Sequence, residues 1–404
     1  MGHRGQTLEW SHEPAFIETH EVTSCGGCGA SLLHEPVDEV IARQVFDLPP
    51  SEVLVTEHQV WVKSCPVCGS RTPGRFPFEA KPRVQYGPRL KGLMVYLMEA
   101  QLLPSARTSE VLSEVMGVTV SEGTLYTARD QCFEALAPIE QALGEALKTA
   151  DGVHFDETGM RVNQRLWWLH VACTDGVTYY FAHPKRGRAA IDEMAILPNF
   201  AGKAVHDGWQ SYSGYDCEHC LCNAHHLREL QYIFEHEAQA WAFELSLLLV
   251  SLHSWVKALK AEGKTALCAQ ELAVLEARYE SILDQGFDAN PMPPPDPMAS
   301  KKRGRPKRST PRNLLERLRT HKASVLGFVR DFEVPFDNNQ AERDLRMMKL
   351  KQKISGGFRS EDGARRFCRI RGYLSTLRKQ GHDLLEAMVD AFSGHPQSPL
   401  TQPE

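Results

Sequence analysis

The sequence predicts an α/β fold, and three observations predict it. From Asp151 the chain runs through three strand-like segments at short intervals, over 153–162, 165–172 and 177–182, divided by turn residues. A helical segment over 189–197 then precedes a fourth strand-like run over 202–208 and a candidate fifth over 218–225. Around this core the chain has helical texture, rich in Leu, Ala and Glu over 226–285 and resuming from Asn313 to about Lys379 with an interruption at Val334-Pro335. Three strands, a helix, a strand, a helix or loop, and another strand is the order of a ribonuclease-H-like α/β domain.

The elements divide as follows. Residues 1–24 are a lead-in, and 25–78 form a small module with two cysteine pairs. Between the pairs, Glu52 to Val62 has strand composition. Residues 79–150 are helical. Leu90 to Leu103 is apolar at helical spacing and Pro104 ends it. Two further helical runs meet at Gly117, the pattern of a helix-turn-helix or of a plain helical hairpin. The α/β domain comprises 151–225 and 334–381, with a large helical insertion over 226–333 that contains a proline-rich and basic linker, 288–312. Residues 382–404 are a C-terminal tail.

Composition restricts the function classes. The chain is 42% hydrophobic and 24% charged, ordinary for globular domains, and 404 residues suffice for several cores. No run approaches the ~18 consecutive apolar residues of a membrane helix, and the N-terminus lacks a signal-peptide core. The expectation is a soluble, cytoplasmic protein without a membrane partner. Net charge is −5, but from Asp337 to Lys379 twelve Lys/Arg stand against five Asp/Glu, and Lys301 to Arg308 holds six basic residues in eight. Positive charge concentrated in an acidic chain suits phosphate; a solvated helix face and a basic linker are the plainer readings.

Asp156 lies in an apolar strand and Asp207 at the end of another. A buried carboxylate is costly unless paired or bound to metal, and carboxylates on neighbouring strand ends are suited to hard cations such as Mg²⁺. Glu342, in Asp337-Asn-Asn-Gln-Ala-Glu-Arg-Asp-Leu-Arg, is the candidate third. Arg346 and Lys349 follow it by four and seven residues, so one helical face carries a carboxylate and two cations, with Arg343 beside them. Taken singly, each acid has a plain alternative. Glu342 is three residues from Asn339 and could close a capping box, while Asp156 and Asp207 could be turn residues.

These residues, taken together, resemble transposases of the insertion-sequence-66 family over nearly the whole chain. The resemblance is carried by Gly2-His-Arg-Gly-Gln-Thr, Cys25-Gly-Gly-Cys-Gly, Cys65-Pro-Val-Cys-Gly, Tyr86-Gly-Pro-Arg-Leu and His154-Phe-Asp-Glu-Thr with Trp167-Trp168. His206-Asp-Gly-Trp-Gln-Ser-Tyr, Cys222-Asn-Ala-His-His-Leu-Arg-Glu-Leu, the long block Val334 to Arg346 and Ser355-Gly-Gly-Phe-Arg-Ser continue it. It implies a catalytic triad on Asp156, Asp207 and Glu342, a ribonuclease-H-like fold, Mg²⁺ (or Mn²⁺), and cut-and-join chemistry on the element's own ends and a target DNA. A homo-oligomer on DNA and helper proteins of the same element are expected partners. A non-catalytic DNA-binding derivative and a two-metal nuclease that cuts without joining are the alternatives. Family members usually carry a helical region before the glycine-histidine stretch; this chain starts inside that stretch, which leaves a truncated copy, a misplaced start or a split protein as expectations.

Three further clusters carry chemistry. Cys25, Cys28, Cys65 and Cys68 form two C-x2-C pairs, each followed by glycine, a four-thiolate Zn²⁺ pattern with a structural role. Cys217, Cys220, Cys222 and His225 could hold a second metal, but strand alternation works against all four converging. Arg303 and Arg305, within Lys301-Lys-Arg-Gly-Arg-Pro-Lys-Arg, are either an A·T minor-groove hook or part of a nonspecific basic linker.

Overall fold

The computed structural model describes residues 8–48, 53–77, 80, 82–292 and 308–400. The chain divides into two compact units, Met1–Val55 and Thr56–Glu404. In the first, the cysteine pair forms a tight turn: Gly29 N–H donates to Cys25 O at 2.9 Å and Cys25 N–H to Ala30 O at 2.8 Å. Gly29 has φ +77°, a conformation that glycine adopts without penalty.

The second unit opens with a hairpin of β1 (Val62–Ser64) and β2 (Arg71–Pro73). Its turn repeats the first unit's pattern, with Gly69 N–H donating to Cys65 O at 2.9 Å and Gly69 at φ +76°. The strand expected from Glu52 begins only at Val62. Residues 53–61 have strand composition but no ladder partner among the described residues, and β-propensity without a partner builds no strand.

The expected helices follow. α1 (Pro88–Val95) runs on as a π-helical turn to Ala100, and α2 (Ser105–Met116), α3 (Glu122–Ala135) and α4 (Ala137–Lys148) come next. Pro104 starts α2, Gly117 closes it in the left-handed region at φ +65°, and Ser121 Oγ caps α3 by accepting from Thr124 N–H at 3.2 Å. The helix-glycine-helix pattern is therefore present in the fold.

The sheet comprises β3 (Gly152–Val162), β4 (Arg165–Cys173), β5 (Thr178–His183), β6 (Lys203–His206) and β7 (Glu218–Leu221), with α5 (Arg188–Met194) between β5 and β6. Its order is β5-β4-β3-β6-β7, the first three antiparallel and the last two parallel to β3. Asn163 and Gln164, at φ +47° and +62°, form the two-residue turn that folds β4 back on β3. The α5 crossover makes the parallel return possible.

Among the described residues, six helices form the insertion: α6 (Asn223–Glu237), α7 (Ala240–Ala261), α8 (Ala269–Ala289), α9 (Thr310–Thr320), and the short α10 (Lys322–Val325) and α11 (Gly327–Arg330). By length and composition α7 could cross a membrane. Its stripe of Trp241, Leu245, Leu249, Leu252, Val256 and Leu259 is nevertheless buried in a core with Tyr279, Ile282 and Leu315. The chain then returns to the sheet with α12 (Asn339–Ser355) and α13 (Glu361–Lys379). α14 (Leu384–Phe392), within the segment read as a tail, packs on α1, where a Cβ on Gly92 would come within 3.1 Å of Val389 N. Seven of its nine residues are apolar, and Ala387, Met388 and Ala391 are buried in one core with α1 and α3.

Alternation along the strands assigns two faces. Val153 and Phe155 point into a core with Ile191, Leu197 and Tyr212. Met160 and Val162, together with Leu169 and Val171 of β4, pack against Ala341, Leu345 and Met348 of α12 and Phe367 of α13. Asp156 has the parity of Met160 and lies opposite Val171, so it belongs to the α12 face. Glu157 belongs to the other.

Candidate active site

Parallel pairing of β3 with β6 sets Gly152 beside Lys203 and His154 beside Val205. Carried two residues further, that register brings Asp156 level with Asp207, just beyond the end of β6. Asp156 is largely buried. Its carboxyl is pushed up to about 7, first by burial and then by the neighbouring charges of Glu157, Asp207 and Glu342, against the pull of one backbone N–H, that of Glu157 at 2.8 Å. Asp156 thus senses both other acids singled out in the sequence, although Glu342 is far from it along the chain. Neither Asp156 nor Asp207 has an ion pair among the described residues; Asp207 accepts from Trp209 N–H at 2.8 Å.

Glu157, next to Asp156, is a control for this reading. On the opposite face, its carboxylate takes a charge-assisted bond from Arg186 at 2.7 Å and another from the Tyr212 hydroxyl. Arg186 is itself sandwiched between Trp168 and Trp209, 4.9 and 4.3 Å from the ring centroids. One of two adjacent acids has its cation built into the protein. The other does not.

Glu342 reaches the site through a lock that the sequence alone did not reveal. Asn338, 1% exposed, precedes α12, and its side chain makes no cap bond to the helix. It spans instead to β3, with Oδ1 2.8 Å from His154 Nδ1 and Nδ2 donating to Phe155 O at 2.9 Å. Its backbone N–H donates to Cys222 Sγ at 3.1 Å, at the start of α6. Burial lowers the pKa of His154, so the ring is neutral and donates from Nδ1 to the Asn338 carbonyl. Two residues beyond Glu342, Asp344 pairs with Lys379 at 2.7 Å and accepts from the Thr178 hydroxyl at 3.1 Å, fastening α12 to β5 and α13.

The Glu342 side chain does not return to the helix start, so the capping-box alternative fails. Its Oε1 lies 3.2 Å from Arg228 Nη2 and 3.8 Å from His225 Nε2, both on α6. Local capping falls to Asp337, which accepts from the Asn339 backbone and side chain at 3.0 and 2.6 Å. Arg343, Arg346 and Lys349 are exposed on α12, and Arg346 and Lys349 have no ion pair among the described residues. Arg303 and Arg305 lie outside the described residues. Of the second cysteine cluster, Cys222 and His225 converge with Glu342, whereas Cys217 neighbours His219 and Cys220 is buried in the core. Missed at the sequence level were Asn338, Arg186 and Arg228. The Asn-Asn pair before Glu342 was the one available signal, and it read as a cap.

With this geometry in place, comparison with known proteins is informative. Residues 83–366, more than half of the chain, match the family described as Transposase IS66 family, which puts the protein in the transposase class. The chain belongs to the IS66 family of transposases. Residues 23–69 separately match the zinc-finger binding domain of transposase IS66, and both cysteine pairs lie within that match. No curated protein matches the chain.

Proposed function

We propose that the chain cuts and joins DNA strands by two-metal phosphoryl transfer, with Asp156, Asp207 and Glu342 holding Mg²⁺ or Mn²⁺. The observation that carries this reading is the charge at Asp156: a buried carboxyl whose ionisation is opposed by Glu157, Asp207 and Glu342, and which has no ion pair among the described residues. An all-oxygen donor set of this kind fits a hard divalent ion. When bound, a metal pair activates the attacking hydroxyl and stabilises the leaving oxygen of a phosphodiester. The strand order β5-β4-β3-β6-β7, with Asp156 inside β3 level with Asp207 just past β6 and Glu342 on a returning helix, supports a ribonuclease-H-like domain.

The chain's own residues then have distinct tasks. β3 and β6 hold Asp156 and Asp207 on a rigid sheet, and Asn338 with Asp344 sets the position of the helix that presents Glu342. Arg343, Arg346 and Lys349 supply positive charge for DNA phosphate, with Arg303 and Arg305 as further contacts from the basic linker. The substrates are the element's ends and a target DNA, taken by a homo-oligomer, with helper proteins of the element as further partners. Replacing Arg346 and Lys349 by alanine is expected to weaken binding to all sequences alike and lower the salt slope by about one to two. An unchanged slope removes them from the interface.

Cys25, Cys28, Cys65 and Cys68 are the thiolates assigned to a structural zinc. Backbone N–H groups of Cys28 and Gly27 hold the Cys25 thiol below its ordinary value, and Ser70 does the same for Cys68, which favours the metal-binding thiolate. Chelation of the finger zinc should reduce DNA affinity while the helical signal of the larger unit persists. Retained affinity in the zinc-free protein would exclude a role in DNA binding. The central test is strand transfer with oligonucleotides bearing the element's terminal repeats. Joined products that require Mg²⁺ or Mn²⁺ are expected; cleavage without joining indicates a nuclease, and no metal-dependent product removes the reading.

A further inference from the structure

Cys222, His225 and Glu342 each offer one ligand atom, and these atoms lie within 4.8 Å of one another. Tetrahedral zinc bond lengths place such donors roughly 3.5 Å apart, a closure within reach of small side-chain rotations. Local structure sets two of the three. Cys222 is the N-cap of α6 and His225 lies in its first turn, with His225 N–H donating to Cys222 O at 3.2 Å.

The sulfur is surrounded as a metal-bound thiolate is. Burial pushes the Cys222 thiol up, while three donors pull the other way: Asn338 N–H donates to the sulfur at 3.1 Å, and the backbone N–H groups of His225 and Ala224 also point to it. The same type of contact, from the residues two and three positions on, serves Cys25 in the zinc-finger segment. A neutral buried thiol is a weak acceptor and gains little from three donors. His225 offers Nε2 toward Glu342, and its Nδ1 is buried with no hydrogen-bond partner among the described residues. Without a metal, Glu342 is engaged by Arg228, whose largely exposed side chain is held besides only by the Ala224 carbonyl at 3.2 Å among the described residues.

We infer that Cys222, His225 and Glu342 form a site for a borderline divalent cation of the zinc class, separate from the zinc-finger segment. Thiolate, imidazole and carboxylate together favour zinc or cobalt over magnesium. The donor set is also incomplete, with three protein ligands and room for water. Because the site shares Glu342 with Asp156 and Asp207, an ion bound there draws that carboxylate toward α6; this consequence rests on the function proposed above, whereas the site itself does not.

The test is metal content of the full-length protein after equilibrium dialysis against Zn²⁺, followed by Co²⁺ substitution. Wild type should hold about two ions per chain, one in the finger and one here, falling to about one in Cys222→Ser and in His225→Ala. The Co²⁺ protein should lose the corresponding part of its thiolate charge-transfer absorption in Cys222→Ser. Serine keeps an acceptor for Asn338 N–H, and His225 is partly exposed, so unchanged thermal melts guard against a folding artefact in both variants. About one ion in wild type, or the same content in all three proteins, overturns the inference. Both readouts count metal, so failure here leaves the strand-transfer result to stand or fall by itself.

Discussion

Asp156→Asn is expected to abolish strand transfer, a loss on the order of a thousandfold or more, and at the same time to make the metal-free protein more stable. The two effects have one cause. The Asp156 carboxyl titrates at about 7 in the fold, above the ordinary 3.8, because burial and three nearby acids oppose its charge. Between about pH 4 and 7 the folded state keeps a proton that the unfolded chain releases, so stability falls as pH rises through that window. Above about 7 the cost is present in full, on the order of a few kcal/mol. Asparagine removes it. Thermal melts at pH 8 without metal should therefore rise in the variant. Mg²⁺ should raise the wild-type melting temperature more at pH 8 than at pH 5 and have little effect on the variant. Asp207→Asn and Glu342→Gln should also abolish joining. Activity surviving any one of the three removes that residue from the triad, and pH-independent wild-type melts would contradict the uncompensated charge.

Asn338→Ala should be the most damaging change outside the acids. It leaves the Phe155 carbonyl and the His154 Nδ1–H buried without their partner, at about 1–3 kcal/mol each, so a loss of about 2–6 kcal/mol in denaturant unfolding is expected. Its second effect is on the site. Asn338 connects the strand that carries Asp156 to the helix that carries Glu342, so the turnover rate should fall in the fraction that still folds. DNA affinity should hardly change, because the exposed cations of α12 remain. A variant with wild-type stability and turnover would show that α12 is positioned by Asp344 and the apolar contacts of Ala341, Leu345 and Met348 alone.

Much of this architecture was legible before any coordinates. The antiparallel strands of the sheet, the turn between β3 and β4 and the helix-glycine-helix segment all follow from short-range signals: alternation, turn residues and caps. Elements that depend on a distant partner were harder to read. The run over 53–61 has no ladder among the described residues, and α14 gains its place from distant faces on α1 and α3. Boundaries inside the last helical block were also missed, because Gly356-Gly357 breaks it where the chain must approach Arg161; a Cβ on Gly357 would lie 2.4 Å from Arg161 O.

The three acids show the same division. Their places within one strand, at the end of another and in a helix, and the family they imply, were determined by the sequence, since strand position and motif are local properties. Which acid lacks a counter-charge was decided only by tertiary structure. Asp156 and Glu157 are adjacent and chemically alike, and alternation sends one toward Arg186 and Tyr212 and the other toward Asp207 and Glu342. The same holds for Glu342, whose place depends on Asn338 binding β3 from 184 positions away from His154. Electrostatic coupling acts through space, and no periodicity along the chain encodes it.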